Sequence, residues 1–152
     1  MDPVTNNLIQ GVGIHQLKVF VDERGALLHL MRNDSPLFKH FGEVYFSEIN
    51  PGVVKAWKRH SRMTQYLAVP VGTVKFVLYD ARVDSPTSGT LNIWTLGRPA
   101  EYKLLVVPPG ICYGFQGVDS RPSLIANCSD IPHDPTELQA LDQYTAKVPY
   151  QW

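Results

Sequence analysis

The most constraining feature of the chain is how often it is interrupted. Short apolar or alternating runs are cut by clusters of turn residues, and twelve Pro and eleven Gly are spread along the length. Gln16 to Val21 reads as a strand ended by Asp22-Glu23-Arg24-Gly25, and Ala26 to Met31 continues it up to Asn33-Asp34-Ser35-Pro36. Glu43 to Ile49 alternates and stops at Asn50-Pro51-Gly52, and Val53 to Lys58 follows. Thr73 to Asp80 is the clearest, with Val74, Phe76 and Leu78 on one face. Leu91 to Leu96, the almost wholly apolar Tyr102 to Val107, and Ser123 to Ala126 complete the set. Helical signals are few: one turn over Leu37 to Phe41, and a helix entry at Asp134-Pro135-Thr136-Glu137. Many short strands with little helix predict an all-β fold, a small sandwich or barrel. A barrel of this size holds one small ligand in its mouth.

Length and charge narrow the function classes. At 152 residues the chain suffices for one domain with a real core, and its 44% apolar residues support folding. Lys+Arg and Asp+Glu both number 14, so there is no basic excess of the kind nucleic-acid binding needs. No apolar run approaches a membrane span, and the start of the chain lacks a signal peptide's basic and apolar regions. The expected location is cytoplasmic, with no nucleic-acid or membrane partner. Cys112 and Cys128 are then reduced thiols that pack among small or apolar neighbours.

The most informative spacing lies between Gly52 and Gly72, with Lys58, Arg59, His60 and Gln65 between them. This resembles the first signature of the cupin β-barrel superfamily, and Pro108 to Tyr113 fits the spacing of the second. Lys58 and His60, two apart on a strand, share a face. The ligand positions read Lys58, His60, Gln65 and Tyr113. A lysine ammonium repels a divalent cation, and one imidazole cannot hold it alone, so no metal site is expected.

A second resemblance spans nearly the whole chain. Phe20-Val21-Asp22-Glu23-Arg24-Gly25, Phe41 to Lys58, Tyr79 to Gly89, and Val107 to Phe115 occur in the order and spacing of four motifs of the dTDP-4-dehydrorhamnose 3,5-epimerase family. The resemblance implies one cupin jelly-roll domain over residues 1–152, metal-free and without a cofactor. It implies a homodimer in which N-terminal strands reach across to the partner. It implies a nucleotide-diphosphate sugar as substrate, namely a 4-keto-6-deoxy sugar inverted at carbons beside the ketone, as in dTDP-rhamnose or polysaccharide biosynthesis.

Removing a proton beside a ketone needs a base within reach and a cation or donor near the forming enolate oxygen. Inversion also needs an acid on the opposite face. The resemblance assigns these roles to a His, a Lys and a Tyr, with an Asp near the C-terminus orienting the His. Here Lys58 stands at the His, Gln65 at the Lys and Asn127 near the Tyr, while the Asp motif is absent. His29, Glu43, Tyr45 and Tyr113 replace other family pocket residues. Phe20, Arg24 and Lys55 are retained or conservatively changed, and Arg24 and Lys55 suit the phosphates. The expected catalytic set is therefore His60 or His29 as base, Lys58 as electrostatic partner and Tyr113 as acid. Phe20, Arg24, Glu43, Tyr45, Lys55, Gln65 and Asn127 are expected to bind substrate. Two alternatives stay open: an inactive sugar-nucleotide-binding homologue, and a ketoisomerase that moves the carbonyl. Among other polar residues, Arg59 and Arg62 read as a solvated stripe, Trp57 as packing, and Arg82 with Ser85-Pro86-Thr87 as a turn clasp.

Overall fold

The structure is a computed structural model and describes residues 7–152. Among these residues there are twelve strands: β1 Gly13–Gln16, β2 Val19–Asp22, β3 Gly25–Leu28, β4 Glu43–Ile49, β5 Val54–His60, β6 Gln65–Val71, β7 Thr73–Asp80, β8 Leu91–Gly97, β9 Lys103–Val107, β10 Ile111–Gly117, β11 Ser123–Ser129 and β12 Leu138–Ala140. They form two five-stranded sheets, β1-β9-β6-β11-β4 and β12-β5-β10-β7-β8, plus the separate hairpin β2-β3. Every named pairing is antiparallel, and the two large sheets face each other as a jelly-roll sandwich.

Alternation decides what fills the space between the sheets. Leu67 and Val69 of β6, Val74, Phe76 and Leu78 of β7, Ile111 and Tyr113 of β10, and Ile125 of β11 all enter one buried cluster. Their spacing of two puts them on the inner faces. Residues of opposite parity face outward and are also covered. Outside the second sheet, Trp57, Val77 and Cys112 pack beneath the C-terminal tail, with Val148, Tyr150 and Trp152. Outside the first, Tyr66, Leu104 and Cys128 pack against Leu30, Met31 and Leu37.

Both expected helices are absent among the described residues. At 133–137 the Asp134 carboxylate accepts bonds from the Thr136 amide and hydroxyl, which closes a turn in place of a helical first turn. The chain then runs into β12, which pairs with β5. At 35–38 the Ser35 hydroxyl accepts from the Leu37 amide and its carbonyl from the Phe38 amide, again a turn. Three strands went unrecognised in the sequence, β6, β10 and β12, and the run from Gln16 to Val21 is divided between β1 and β2.

Arg82, Ser85 and Thr87 do clasp a turn, and Asp80 is its hub. The Asp80 carboxylate is fully buried and accepts from the Arg82 guanidinium, the Arg82 amide and the hydroxyls of Ser85 and Thr87. Arg82 also donates to the Gln10 carbonyl, tying the N-terminal segment to this loop. Gly72, at φ +81°, turns the chain from β6 into β7, where a Cβ would meet the Ser123 hydroxyl at 2.1 Å.

Candidate active site

β5 contains one irregularity that shapes the site. Tyr113 lies opposite Lys58 and Phe115 opposite Lys55, so Ala56 and Trp57 together oppose the single residue Gly114. This is a β-bulge, and it lets both Ala56 and Trp57 face outward. A Cβ at position 114 would come within 2.6 Å of Ala56 and 2.9 Å of Trp152, so the bulge needs glycine there. Lys55 and Lys58, three apart in sequence, consequently reach the same inner cavity.

That cavity measures about 320 Å3 and opens between the sheet edges formed by β4 and by β5 with β12. Ser47, Lys55, Lys58, Tyr113 and Phe115 line it, and Ala56, Trp57, Ala140 and Leu141 close its rim. The Lys55 ammonium donates to the Glu48 carbonyl at 2.7 Å and to the Ser47 hydroxyl at 3.3 Å. Lys58 is exposed, lines the cavity and makes no ion pair among the described residues.

His60 shares the Lys58 face but is buried, at 7% exposure, and its ring stacks on Tyr113 with centroids 6.2 Å apart. Its Nδ1 is engaged by the Glu137 carboxylate in a very short contact. The other Glu137 oxygen accepts from the backbone amides of Arg62 and Met63. Burial alone would raise the Glu137 carboxyl. The bonds from His60 and the two amides outweigh it and hold the carboxyl below its usual range. A carboxylate on Nδ1 fixes the tautomer with the proton on that nitrogen and leaves Nε2 as the basic site. Nothing in the sequence pointed to Glu137, which lies 77 positions from its partner in a segment read as a helix entry.

Gln65, Asn127, Tyr45 and Ser47 stand on the facing sheet. Asn127 is directly opposite Tyr45 across the β11–β4 ladder and donates to the Tyr45 hydroxyl at 2.8 Å. The same amide nitrogen donates to Gln65 Oε1. Gln65 and Asn127 are both buried, and Gln65 Nε2 and Asn127 Oδ1 have no hydrogen-bond partner among the described residues. Burial pushes the Tyr113 hydroxyl well above an ordinary phenol, with the nearby Gln65 amide pulling it partly back. Burial also raises Tyr45, and the negative charge of Glu43 adds to that rise, while the Asn127 bond opposes it.

The structure thus brings together Lys55, Lys58, His60, Tyr113, Gln65, Asn127, Tyr45 and Glu43. Within one chain it does not bring in the other three expected residues. Phe20 and Arg24 belong to the β2-β3 hairpin, where Arg24 pairs with Asp22 at 2.6 Å. His29 follows that hairpin and packs edge-on against Phe20. None of the three borders the cavity. Among the described residues, no group of three or more His, Cys, Asp or Glu could hold a metal ion, and no helix is long and apolar enough to cross a membrane.

Comparison with known proteins yields consistent matches. Residues 6–152 match the family described as dTDP-4-dehydrorhamnose 3,5-epimerase. The spore coat polysaccharide biosynthesis protein SpsL of Bacillus subtilis (strain 168) is 32% identical over 130 residues, 86% of this chain and 85% of that protein. A crystal structure of a dTDP sugar isomerase from Desulfovibrio desulfuricans G20 superposes with a TM-score of 0.93 at 50% identity, covering 95% of this chain and 92% of that one. The fold is also that of dTDP-6-deoxy-D-glucose-3,5-epimerase from Legionella pneumophila Philadelphia 1, solved with dTDP-4-keto-L-rhamnose. That superposition has a TM-score of 0.83 at 20% identity and covers 98% of this chain and 82% of that one.

Proposed function

From the premise that this chain belongs to the dTDP-4-dehydrorhamnose 3,5-epimerase family, we propose that it inverts a carbon beside the ketone of a nucleotide-linked 4-keto-6-deoxy sugar. The observation that carries the reading is the buried His60–Glu137 pair stacked beside Tyr113, which lines the cavity together with Lys58. Proton abstraction next to a ketone needs a base of fixed tautomer, and His60 Nε2 fits that need. It also needs positive charge near the oxygen that becomes an enolate, and the unpaired Lys58 ammonium suits it. His29 is the weaker candidate for base, since no carboxylate among the described residues pairs with it and its ring packs on Phe20 of the hairpin, whereas His60 stacks on the cavity residue Tyr113.

The sugar occupies the cavity between the sheet edges, with Lys55 toward the diphosphate. Gln65, Asn127, Tyr45 and Glu43 form the polar wall beyond. Phe20, Arg24 and His29 join a site only if a second copy of the chain brings its hairpin to the cavity, so the homodimer is part of the proposal. The enzyme acts in the cytoplasm, as one cupin domain over residues 1–152, with no cofactor.

The test is incubation with dTDP-4-keto-6-deoxyglucose in heavy water, followed by proton NMR. The carbon-3 or carbon-5 proton signal is expected to fade in the presence of enzyme. His60→Ala is expected to slow that exchange by about 10²-fold or more, the usual scale of a lost general base. Lys58→Ala is expected to lose about as much through the oxyanion. Full exchange in both variants and in Tyr113→Ala overturns the assignment. Saturable binding with no exchange in the wild type favours the binding-only reading, and a displaced ketone favours the ketoisomerase.

A further inference from the structure

Inversion of a carbon needs two groups on opposite faces of the sugar ring. One removes the proton and the other supplies a proton from behind. The group proposed for the first role, His60, stands on β5 with its electrostatic partner Lys58, and Tyr113 stands on β10 beside it. These are neighbouring strands of one sheet, and the His60 and Tyr113 rings stack at an interplanar angle of 20°. Groups stacked on one another share a wall and approach a bound ring from the same side. With His60 taking the proton, Tyr113 is badly placed to return one to the opposite face.

The opposite wall is the inner face of β4, β11 and β6. It carries Glu43, Tyr45, Ser47, Asn127 and Gln65. Amides do not protonate carbon, a serine alcohol is too weak an acid to do so, and Glu43, at the start of β4, stands one step further than Tyr45 from the cavity-lining Ser47. Tyr45 is different in three respects. It faces inward, because it shares parity with Ile49 of the core. It is 38% exposed, whereas Tyr113 is 4% exposed, so the Tyr45 ring is open to solvent where Tyr113 is enclosed. Its oxygen accepts a hydrogen bond from Asn127, which leaves its own hydroxyl proton free to be donated. Asn127 is held in turn by Gln65 from the next strand, so the hydroxyl is fixed by two buried amides.

We infer that Tyr45, from the wall facing His60 and Lys58, is the catalytic acid that completes inversion. Asn127 is its positioning residue. The inference rests on the epimerase reading above and replaces Tyr113 in the acid's role. In the step, a base on β5 takes the carbon-bound proton and an enolate forms. The Tyr45 O–H bond then breaks, and its proton adds to the same carbon from the other face. The enolate returns to the ketone with inverted configuration, leaving tyrosinate and a protonated base. Exchange with water resets both.

The experiment separates removal of the proton from its return. Wild type, Tyr45→Phe and Tyr113→Phe are each incubated with dTDP-4-keto-6-deoxyglucose in heavy water. Loss of the carbon-bound proton and appearance of the inverted sugar are both followed by NMR. Tyr45 lies on an edge strand and the change removes one oxygen, so the fold is retained, as a thermal melt will verify. Tyr45→Phe is expected to keep exchange within a few-fold of wild type while inverted product falls at least 10²-fold. A merely structural role would depress both together. Undiminished inversion in Tyr45→Phe, or equal loss of both readouts, overturns the inference, as does exchange without inversion in Tyr113→Phe. Neither exchange nor inversion in the wild type overturns the epimerase reading itself and this inference with it.

Discussion

Asp80 shows how much one side chain holds. Its carboxylate has no exposed surface and gathers Arg82, Ser85 and Thr87, and through Arg82 it reaches the N-terminal segment. Burial alone would raise its pKa, but the Arg82 guanidinium and the two hydroxyls overwhelm that and drive it far below the usual carboxylate range. A folded-state pKa below the unfolded value stabilises the fold above the unfolded pKa and loses that contribution as pH falls. Thermal melts from pH 6 downward are therefore expected to lose stability from about pH 4. Asp80→Asn should give a flatter profile and cost about 3–5 kcal/mol at neutral pH, because it strands a partly buried guanidinium. The clasp could be read from the sequence because its members lie within seven residues of one another. Glu137 could not be read, because its partner is 77 positions away and nothing local distinguishes it from a turn residue. The same limit explains Tyr45 and Asn127, which meet across a ladder spanning 82 positions. The pocket residues Lys55, Lys58 and Tyr113 were legible through motif spacing alone.

At the scale of elements, regular alternation identified the strands that have it and missed those that do not. β6 contains Pro70, a residue that argues against a central strand. The structure accommodates it where the β6–β11 register shifts between Ala68 and Val71, and β9 pairs only with the first three residues of β6. β10 contains Gly114, which lowers strand propensity but is required against Ala56 and Trp152. β12 is three residues long and pairs with β5 alone. The β5 bulge was equally invisible, since two successive outward residues look like an ordinary break in pattern. It has a measurable energetic signature. Trp57 is 1% exposed, donates to the Gln143 carbonyl, and sits under Tyr150 and Trp152. Trp57→Ala is expected to destabilise the protein by about 3–5 kcal/mol in urea titrations. It should also slow exchange, because the bulge that aims Lys55 and Lys58 loses its outer anchor.

The whole molecule leaves a conspicuous apolar surface. Phe20, Val21 and Leu27 of the hairpin are 57%, 72% and 59% exposed, and Phe46 on the edge strand β4 is 63% exposed. A monomer rarely leaves so many large apolar side chains open together with an unpaired edge strand. A homodimer that covers them also supplies the hairpin residues the cavity lacks. Sedimentation equilibrium is expected to give twice the 17.1 kDa chain mass. The double variant Phe20→Asp, Leu27→Asp should shift the protein to monomer, with a loss of activity that His60 and Lys58 cannot make good. A stable monomer in the wild type with full activity overturns this. The sandwich itself was legible from short strands and near-absent helix. The homodimer is an expectation from the family resemblance alone, because strand patterning carries no information about which copy a hairpin serves.

The tail that roofs the second sheet offers an optical consequence. Trp57 and Trp152 have ring centroids 5.2 Å apart, close enough for their excited states to couple, while Lys75 lies over both Tyr150 and Trp152. Trp152 and Trp57, the neighbour of Lys58, thus share one chromophore. Lifting the tail would uncouple it before either sheet unravels. Near-ultraviolet circular dichroism therefore watches the outer wall of the site without any added label, and a change on sugar-nucleotide binding would report motion transmitted through the β5 bulge.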